Sequence, residues 1–121
     1  MGKTVILGAS NNPARYSFQA AKLLSEMGYE FEPVGLKKGL SGGMNIRNIR
    51  ERPVIENVDT ITLYMNPYNQ QEYLEYIISM RPKRIIFNPG TENPELVDLA
   101  AKASINTIEN CTLIMLRTGS F

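Results

Sequence analysis

Near its start the chain reads Thr4-Val5-Ile6-Leu7, and Gly8-Ala9-Ser10 follows directly. The four apolar or β-branched residues are typical of a buried strand, and the glycine and serine favour a turn after it. Apolar residues then recur at helical spacing until Gly28, which favours the end of a helix. They are Tyr16, Ala20, Leu23, Leu24 and Met27. A strand, a turn and a helix in this order predict the first unit of a parallel α/β sheet.

The same alternation continues along the rest of the chain. Four further runs predict strands at residues 29–34, 59–64, 84–87 and 105–108. Asn69 and Glu72 resemble a capping box, and Asn93 with Pro94 predicts a second helix start. Residues 36–58 show only weak periodicity, so the crossover between the second and third strands is predicted to lack a full helix. Residues 1–121 are therefore predicted to form a single α/β domain, a doubly wound, Rossmann-like parallel sheet of about five strands.

Charge and composition exclude several classes of protein. The 121 residues include 13 Lys and Arg against 12 Asp and Glu, a net charge of +1, which is too balanced for a nucleic-acid-binding protein. No apolar run reaches the ~20 residues of a membrane-spanning helix, so we expect no membrane partner. Cys111 is the one cysteine. An internal disulfide is therefore excluded, and a reducing compartment, the cytoplasm, is expected.

Side chains suited to catalysis are scarce in this sequence. Histidine is absent, which excludes Ser-His and Cys-His nucleophiles and ordinary zinc sites. Cys111 precedes an apolar run and is expected to be a buried structural thiol. Two acidic pairs, Glu72/Glu75 and Glu95/Asp98, fall on predicted helices and are expected to be solvated. No catalytic residue and no metal ligand is assigned, and the sequence favours a binding protein over an enzyme.

Ligands of an open parallel sheet bind at the carboxyl ends of its strands, where the strand order reverses. Four stretches are predicted to lie there, at residues 8–17, 34–38, 64–68 and 88–93, and all are rich in Gly, Asn and Pro. The first stretch differs from the G-x-G-x-x-G motif because it has one glycine at the bend. Its backbone N–H groups and the dipole of the following helix still favour an anion, and Arg15 adds a charged donor.

The end of the second predicted strand distinguishes among nucleotides. Sites for NAD place Asp or Glu at this position, where the carboxylate holds the ribose 2′-hydroxyl. In this chain Pro33 and Val34 lead to Lys37 and Lys38, two cations that suit a ribose bearing a phosphate. NADP and coenzyme A both fit this pattern, and NAD is disfavoured.

Several stretches together form a recognisable pattern that covers nearly the whole chain. They are Gly8-Ala9-Ser10 with Pro13, Tyr16 and Ser17, then Pro33-Val34, residues 59–64, 82–84 and 88–95, and Cys111-Thr112-Leu113. This pattern resembles the small CoA-binding protein family, which is similar to the CoA-binding domain of the succinyl-CoA synthetase α subunit. The chain departs from the family at Gly35-Leu36, where relatives often have Asn-Pro, and in residues 39–52. The phosphohistidine of the synthetase has no counterpart, so ligase activity is not expected.

The resemblance implies a domain that binds coenzyme A or an acyl-CoA, often without a known reaction. It implies that the first turn contacts the nucleotide phosphates, that Lys37 meets the ribose phosphate, and that the loops after the third and fourth strands line the remaining cleft. The predicted cofactor-binding residues are Gly8, Ala9, Ser10, Asn11, Arg15, Ser17, Pro33, Val34, Lys37, Lys38, Asn66, Pro67, Asn88, Pro89 and Gly90. The alternative is an NADP-dependent oxidoreductase or another nucleotide-using enzyme. The sequence does not identify a protein partner, and it leaves a homo-oligomer open.

Overall fold

A computed structural model of the protein describes residues 2–121. Its strands are, in chain order, β1 (Lys3–Leu7), β2 (Phe31–Gly35), β3 (Leu40–Ser41), β4 (Met44–Asn45), β5 (Arg47–Asn48), β6 (Val58–Leu63), β7 (Arg84–Phe87) and β8 (Asn106–Glu109). Its helices are α1 (Tyr16–Glu26), α2 (Pro67–Gln70), α3 (Leu74–Ser79), α4 (Pro94–Lys102) and α5 (Thr112–Thr118). Short 3₁₀ turns lie at Ile49–Glu51 and Gln71–Tyr73.

Within the described residues, six strands pair in parallel in the order β5-β2-β1-β6-β7-β8. The chain steps from β1 to β2 on one side and later returns to β6 on the other side, so the order reverses between β1 and β6. This confirms the predicted Rossmann-like α/β fold, with one strand more than the five expected. The additional strand is β5, and its two residues pair with β2. Two residues are too few to show a period, so no sequence pattern could indicate this strand.

Alternate side chains of the central strand point to opposite faces of the sheet, and each face has its own apolar core. Val5 and Leu7 belong to the core that includes α3 and α4. Ile6 belongs to the core on the other face, with Leu24 of α1 and Leu116 of α5. Because helices cover both faces, Val5, Ile6 and Leu7 of β1 are buried on either side, which explains why consecutive residues of this strand are apolar.

The crossover between β2 and β6 contains the β3–β4 hairpin, β5 and a 3₁₀ turn, and no α-helix occurs among these described residues. Gly42 and Gly43 form the hairpin turn with φ angles of +62° and +82°, which glycine adopts without strain. The prediction that this crossover lacks a full helix is confirmed.

The helix starts agree with the sequence signal at α4 and differ from it at α2. The side-chain oxygen of Asn93 accepts hydrogen bonds from two backbone N–H groups of α4, at 3.1 and 3.4 Å, as predicted. The capping box predicted for Asn69 and Glu72 is wrong. The cap is Asn66, whose Oδ1 accepts a hydrogen bond from the Asn69 N–H at 2.8 Å. Pro67 follows this cap and favours the first helical position because its missing N–H has no partner to lose there.

Candidate functional site

A cleft of about 530 Å³ opens at the carboxyl ends of β1, β2 and β6, where the strand order reverses. The turn after β1 and the start of α1 form its first wall, the residues after β2 form its second wall, and the loops after β6 and β7 form its third wall. The sequence-predicted residues that line it are Gly8, Ala9, Ser10, Asn11, Arg15, Ser17, Lys37, Asn66 and Pro89. This is the place at which an open parallel sheet binds its ligands.

Other lining residues were not singled out from the sequence. Most of them lie within the four stretches predicted for the strand ends, and these are Asn12, Tyr16, Gly35, Leu36, Tyr64, Met65 and Thr91. Ile49 and Asn69 lie outside those stretches. Ile49 belongs to the 3₁₀ turn after β5 and is fully buried, and an isolated apolar residue in a weakly periodic segment gave no signal of this position.

The remaining predicted residues do not line the cleft. They are Pro33, Val34, Lys38, Pro67, Asn88 and Gly90. The side chains of Pro33 and Val34 are buried within β2, and Asn88 is buried with 3% of its surface exposed. Lys38 and Gly90 are exposed outside the cleft lining.

The turn after β1 packs closely against its neighbouring strands. The N–H groups of Gly8 and Ala9 both donate to the carbonyl oxygen of Val34, at 2.9 and 3.0 Å. Gly8 has a φ angle of +96°, and a Cβ there would lie 2.9 Å from the carbonyl carbon of Tyr64 and 3.1 Å from the nitrogen of Met65. Glycine is therefore required by the contact between this turn and the end of β6, and these two N–H groups already have an acceptor.

Donors for an anion are present at the start of α1. Its N-cap residue is Arg15, and no side chain among the described residues caps this helix. The Ser10 hydroxyl oxygen accepts a hydrogen bond from the Asn12 N–H at 3.0 Å, so it serves the preceding turn. The first N–H groups of an α-helix have no acceptor within the helix, and Tyr16 and Ser17 at the start of α1 line the cleft. The positive end of the α1 dipole therefore faces the cleft.

The charge of the cleft is positive. Among its lining residues, all within residues 2–121, Arg15 and Lys37 are charged and none is acidic. Both side chains are exposed and accessible to a ligand. Because the whole chain has a net charge of +1, the cleft concentrates cations that are balanced elsewhere on the protein. This electrostatic arrangement favours an anionic ligand.

The residues after β2 approach the turn after β1 closely. A Cβ at Gly35 would collide with the carbonyl oxygen of Ala9, so only glycine allows the two segments to lie at this separation. Asn11 Nδ2 also donates a hydrogen bond to the carbonyl oxygen of Lys38 at 2.8 Å. The first and second walls of the cleft are therefore in direct contact.

The third wall is held together by Gln70, which is fully buried. Its Nε2 donates hydrogen bonds to the carbonyl oxygens of Met65 at 2.7 Å and Thr91 at 2.8 Å. Its Oε1 accepts a hydrogen bond from Asn93 Nδ2 at 2.9 Å. One glutamine thus connects the loop after β6 to the loop after β7. Sequence reasoning missed this residue because a glutamine in a helix carries no local sign of burial.

Asn88 has a comparable role beneath the cleft. Its Nδ2 donates hydrogen bonds to Thr62 Oγ1 at 2.7 Å and to the carbonyl oxygen of Leu63 at 2.8 Å. Its Oδ1 accepts a hydrogen bond from the Thr112 N–H at 2.8 Å. The hydroxyl groups of Thr62 and Thr112 also contact each other at 2.7 Å. Asn88 therefore joins β6, the end of β7 and the start of α5.

Tyr64 and Cys111 are titratable side chains next to this junction. The Tyr64 hydroxyl is buried and has no hydrogen-bond partner among the described residues. Burial raises the pKa of Tyr64 to about 12. The phenol therefore stays protonated at neutral pH and is a poor general base.

Cys111 is half-buried, so the prediction of a buried thiol is wrong. It precedes α5 as its N-cap residue and so lies at the surface end of the apolar run.

The acidic pairs occupy the positions expected of them. Glu72, Glu75, Glu95 and Asp98 are all exposed on their helices or turns, as predicted.

No group of three or more potential metal-ligating His, Cys, Asp or Glu side chains occurs in the described part of the chain. In the same range, residues 2–121, no helix combines the length and apolar character that a membrane span requires.

Comparison with known proteins identifies the family of this chain. A family model described as a CoA binding domain matches residues 2–117. The chain belongs to this family. This match confirms the family resemblance that the sequence predicted, and it covers nearly the whole chain. A search of curated proteins found no match.

Solved structures extend this comparison. An uncharacterized protein is 53% identical to this CoA-binding domain with a TM-score of 0.94, and the alignment covers 100% of this chain and 98% of that one. A protein from Thermus thermophilus is 21% identical with a TM-score of 0.85, covering 99% and 90% of the two chains. A conserved hypothetical protein from Pyrococcus furiosus is 25% identical with a TM-score of 0.80, covering 94% and 98%. The likeness at 21% identity shows the fold alone.

Proposed function

We propose that the protein binds coenzyme A, or an acyl-CoA, in the cleft at the carboxyl ends of β1, β2 and β6. The observation that carries this proposal is the convergence of Arg15, Lys37 and the uncapped start of α1 on one cleft without acidic lining residues in the described chain. Coenzyme A has a diphosphate and a ribose phosphate, so it presents anions to both cations. Membership of the CoA-binding family supports this ligand over other phosphorylated nucleotides.

The three walls suggest how the ligand lies. The diphosphate would meet the N–H groups at the start of α1, together with Ser10, Ser17 and Arg15. The ribose phosphate would meet Lys37 on the second wall. The remaining arm would run along the third wall past Asn66 and Pro89. A volume of about 530 Å³ lies within the range of ligand clefts.

The other predicted residues would support the cleft from behind. We assign Pro33, Val34 and Asn88 to this role because they are buried and make no contribution to its lining. Lys38, Pro67 and Gly90 flank residues that do line it, so their backbone shapes the cleft walls. The proposed site therefore centres on the first turn and on Lys37.

Calorimetric titration with coenzyme A, 3′-dephospho-CoA and NADP tests this proposal. We expect coenzyme A to bind most tightly, because it alone combines the ribose phosphate with the full pantetheine arm. Lys37→Ala removes one charge-assisted contact, which is worth about 1.5–3 kcal/mol, or roughly ten- to a hundredfold in affinity for coenzyme A. The same variant should bind 3′-dephospho-CoA with nearly unchanged affinity.

The matched control is Lys102→Ala, which removes an exposed lysine from the last turn of α4, away from the cleft. It should leave all three affinities unchanged. Failure of the wild-type protein to bind coenzyme A, or tighter binding of NADP, would overturn the proposed function. Equal losses for both forms of coenzyme A in Lys37→Ala would contradict the role given to this lysine.

A further inference from the structure

Asn11 connects two walls of the cleft that are far apart in the sequence. Its side-chain Nδ2 donates a hydrogen bond to the carbonyl oxygen of Lys38 at 2.8 Å, across 27 residues. The side chain extends from the turn after β1, and its acceptor lies in the exposed segment after β2. This hydrogen bond ties the turn after β1 to the segment that carries the lysines.

Gly39 lies against Asn11, and both its backbone conformation and its lack of a side chain are needed for the Asn11 hydrogen bond. Its φ angle is +139°, which L side chains rarely adopt. A Cβ at Gly39 would lie 2.7 Å from the Cβ of Asn11 and 3.0 Å from its Nδ2. Any side chain at this position would therefore push Asn11 away from the Lys38 carbonyl. The Gly39 carbonyl oxygen in turn accepts a hydrogen bond from the Ile46 N–H at 2.9 Å, so the far end of the segment is also held.

Residues 36–38 lie between Gly35 and Gly39, and all three are exposed. The near end of this segment is fixed at Gly35, where the backbone touches the carbonyl oxygen of Ala9. Of the two lysines, Lys37 lines the cleft and Lys38 does not. Exposed loop residues sample many conformations unless a contact restrains them. The Asn11 hydrogen bond supplies that restraint next to Lys37.

We infer that Asn11 is a positioning residue that holds Lys37 at the cleft and so sets the preference for a ligand with a ribose phosphate. This inference rests on the proposed function, and it assigns the specificity for the phosphate to a pair of residues. Asn11 acts here through the backbone of the lysine segment. Its effect should therefore depend on Lys37 and on the phosphate that Lys37 meets.

A double-mutant cycle tests the inference, with coenzyme A and 3′-dephospho-CoA as the two ligands. Asn11→Ala should lower the affinity for coenzyme A by about three- to tenfold, the range for one net hydrogen bond, and the affinity for 3′-dephospho-CoA by less than about twofold. In the Lys37→Ala background, Asn11→Ala should have less than about a twofold effect on either ligand.

A second variant disrupts the same hydrogen bond by a substitution at Gly39. Gly39→Ala places a Cβ against Asn11 and should reproduce the selective loss for coenzyme A. Its matched control is Gly43→Ala, which has a φ angle of +82° but no atom within 4 Å of the new Cβ. The control for Asn11 is Asn110→Ala, an exposed asparagine outside the cleft whose Oδ1 accepts a hydrogen bond from the Cys111 N–H.

The outcomes separate this inference from the proposed function. If the wild-type protein does not bind coenzyme A, both are overturned. If the wild-type protein prefers coenzyme A and Asn11→Ala keeps that preference, the inference alone is overturned. Equal losses of affinity for the two ligands, or a loss that persists in the Lys37→Ala background, would show that Asn11 acts independently of Lys37. Asn11 would then contact the ligand itself or stabilise the fold, and the inference would be overturned.

Discussion

Replacing Asn88 with alanine removes three hydrogen bonds from the buried junction of β6, β7 and α5. After this change the Thr62 hydroxyl still has the Thr112 hydroxyl as a partner at 2.7 Å. The carbonyl oxygen of Leu63 loses a donor, and the Thr112 N–H loses its acceptor. Thr112 is fully buried, so its N–H group is not exposed to bulk water in the folded state.

The expected cost follows from these two groups. Leaving a buried donor or acceptor unsatisfied costs about 1–3 kcal/mol each, so Asn88→Ala should lower the free energy of unfolding by about 2–6 kcal/mol. Domains of this size have free energies of unfolding of about 5–15 kcal/mol, so the variant should still fold. With a urea m-value of about 2 kcal/mol/M, a loss of about 3 kcal/mol lowers the midpoint by about 1.5 M.

Urea unfolding followed by circular dichroism measures this loss. Asn110→Ala is the control, because it removes a hydrogen bond between an exposed side chain and the backbone, and it should cost less than about 1 kcal/mol. A loss below about 1 kcal/mol for Asn88→Ala, with an unchanged m-value, would refute the reasoning. If the variant is stable but no longer binds coenzyme A, Asn88 contacts the ligand, as the sequence predicted.

Two further predictions concern buried hydroxyl groups. Ser41 is fully buried and its hydroxyl has no partner in residues 2–121, so Ser41→Ala should leave the urea midpoint unchanged or raise it. A clear decrease would reveal a missed partner. Burial raises the pKa values of Tyr64 and Tyr76 from 10.0 to about 12, so the folded state keeps protons that the unfolded state releases above about pH 10. Stability should therefore fall between about pH 10 and 12, and Tyr64→Phe should make that fall shallower.

Local sequence patterns were sufficient to predict most of the fold. The apolar run at Thr4–Leu7 and the helical spacing after Pro13 each span only a few residues, and hydrophobic periodicity reports such elements directly. The Asn93-Pro94 start of α4 was also predictable, since a cap acts on N–H groups two or three residues away. The same local logic failed at Asn69 because another asparagine, Asn66, stands at the helix start with Pro67 after it.

The strand-end rule placed the cleft at the correct edge of the sheet. Gly8, Arg15 and Lys37 were predicted there from their positions after β1 and β2, and all three line the cleft. This worked because the carboxyl ends of parallel strands lie together whatever their side chains are. The direction of each side chain was not predictable in this way. Asn88 follows β7 as expected, yet it points into the protein and not into the cleft.

The sequence by itself therefore determined the longer strands and helices, their order, and the edge of the sheet at which polar loops collect. Each of these follows from the chemistry of neighbouring residues. Only the tertiary structure decided that Ile49 lines the cleft, that Gln70 joins two loops and that Asn11 reaches Lys38. Those contacts join residues up to 27 positions apart, and their geometry depends on how the elements pack. No periodicity or turn signal carries that information, because a side chain acquires such a partner only after the sheet has formed.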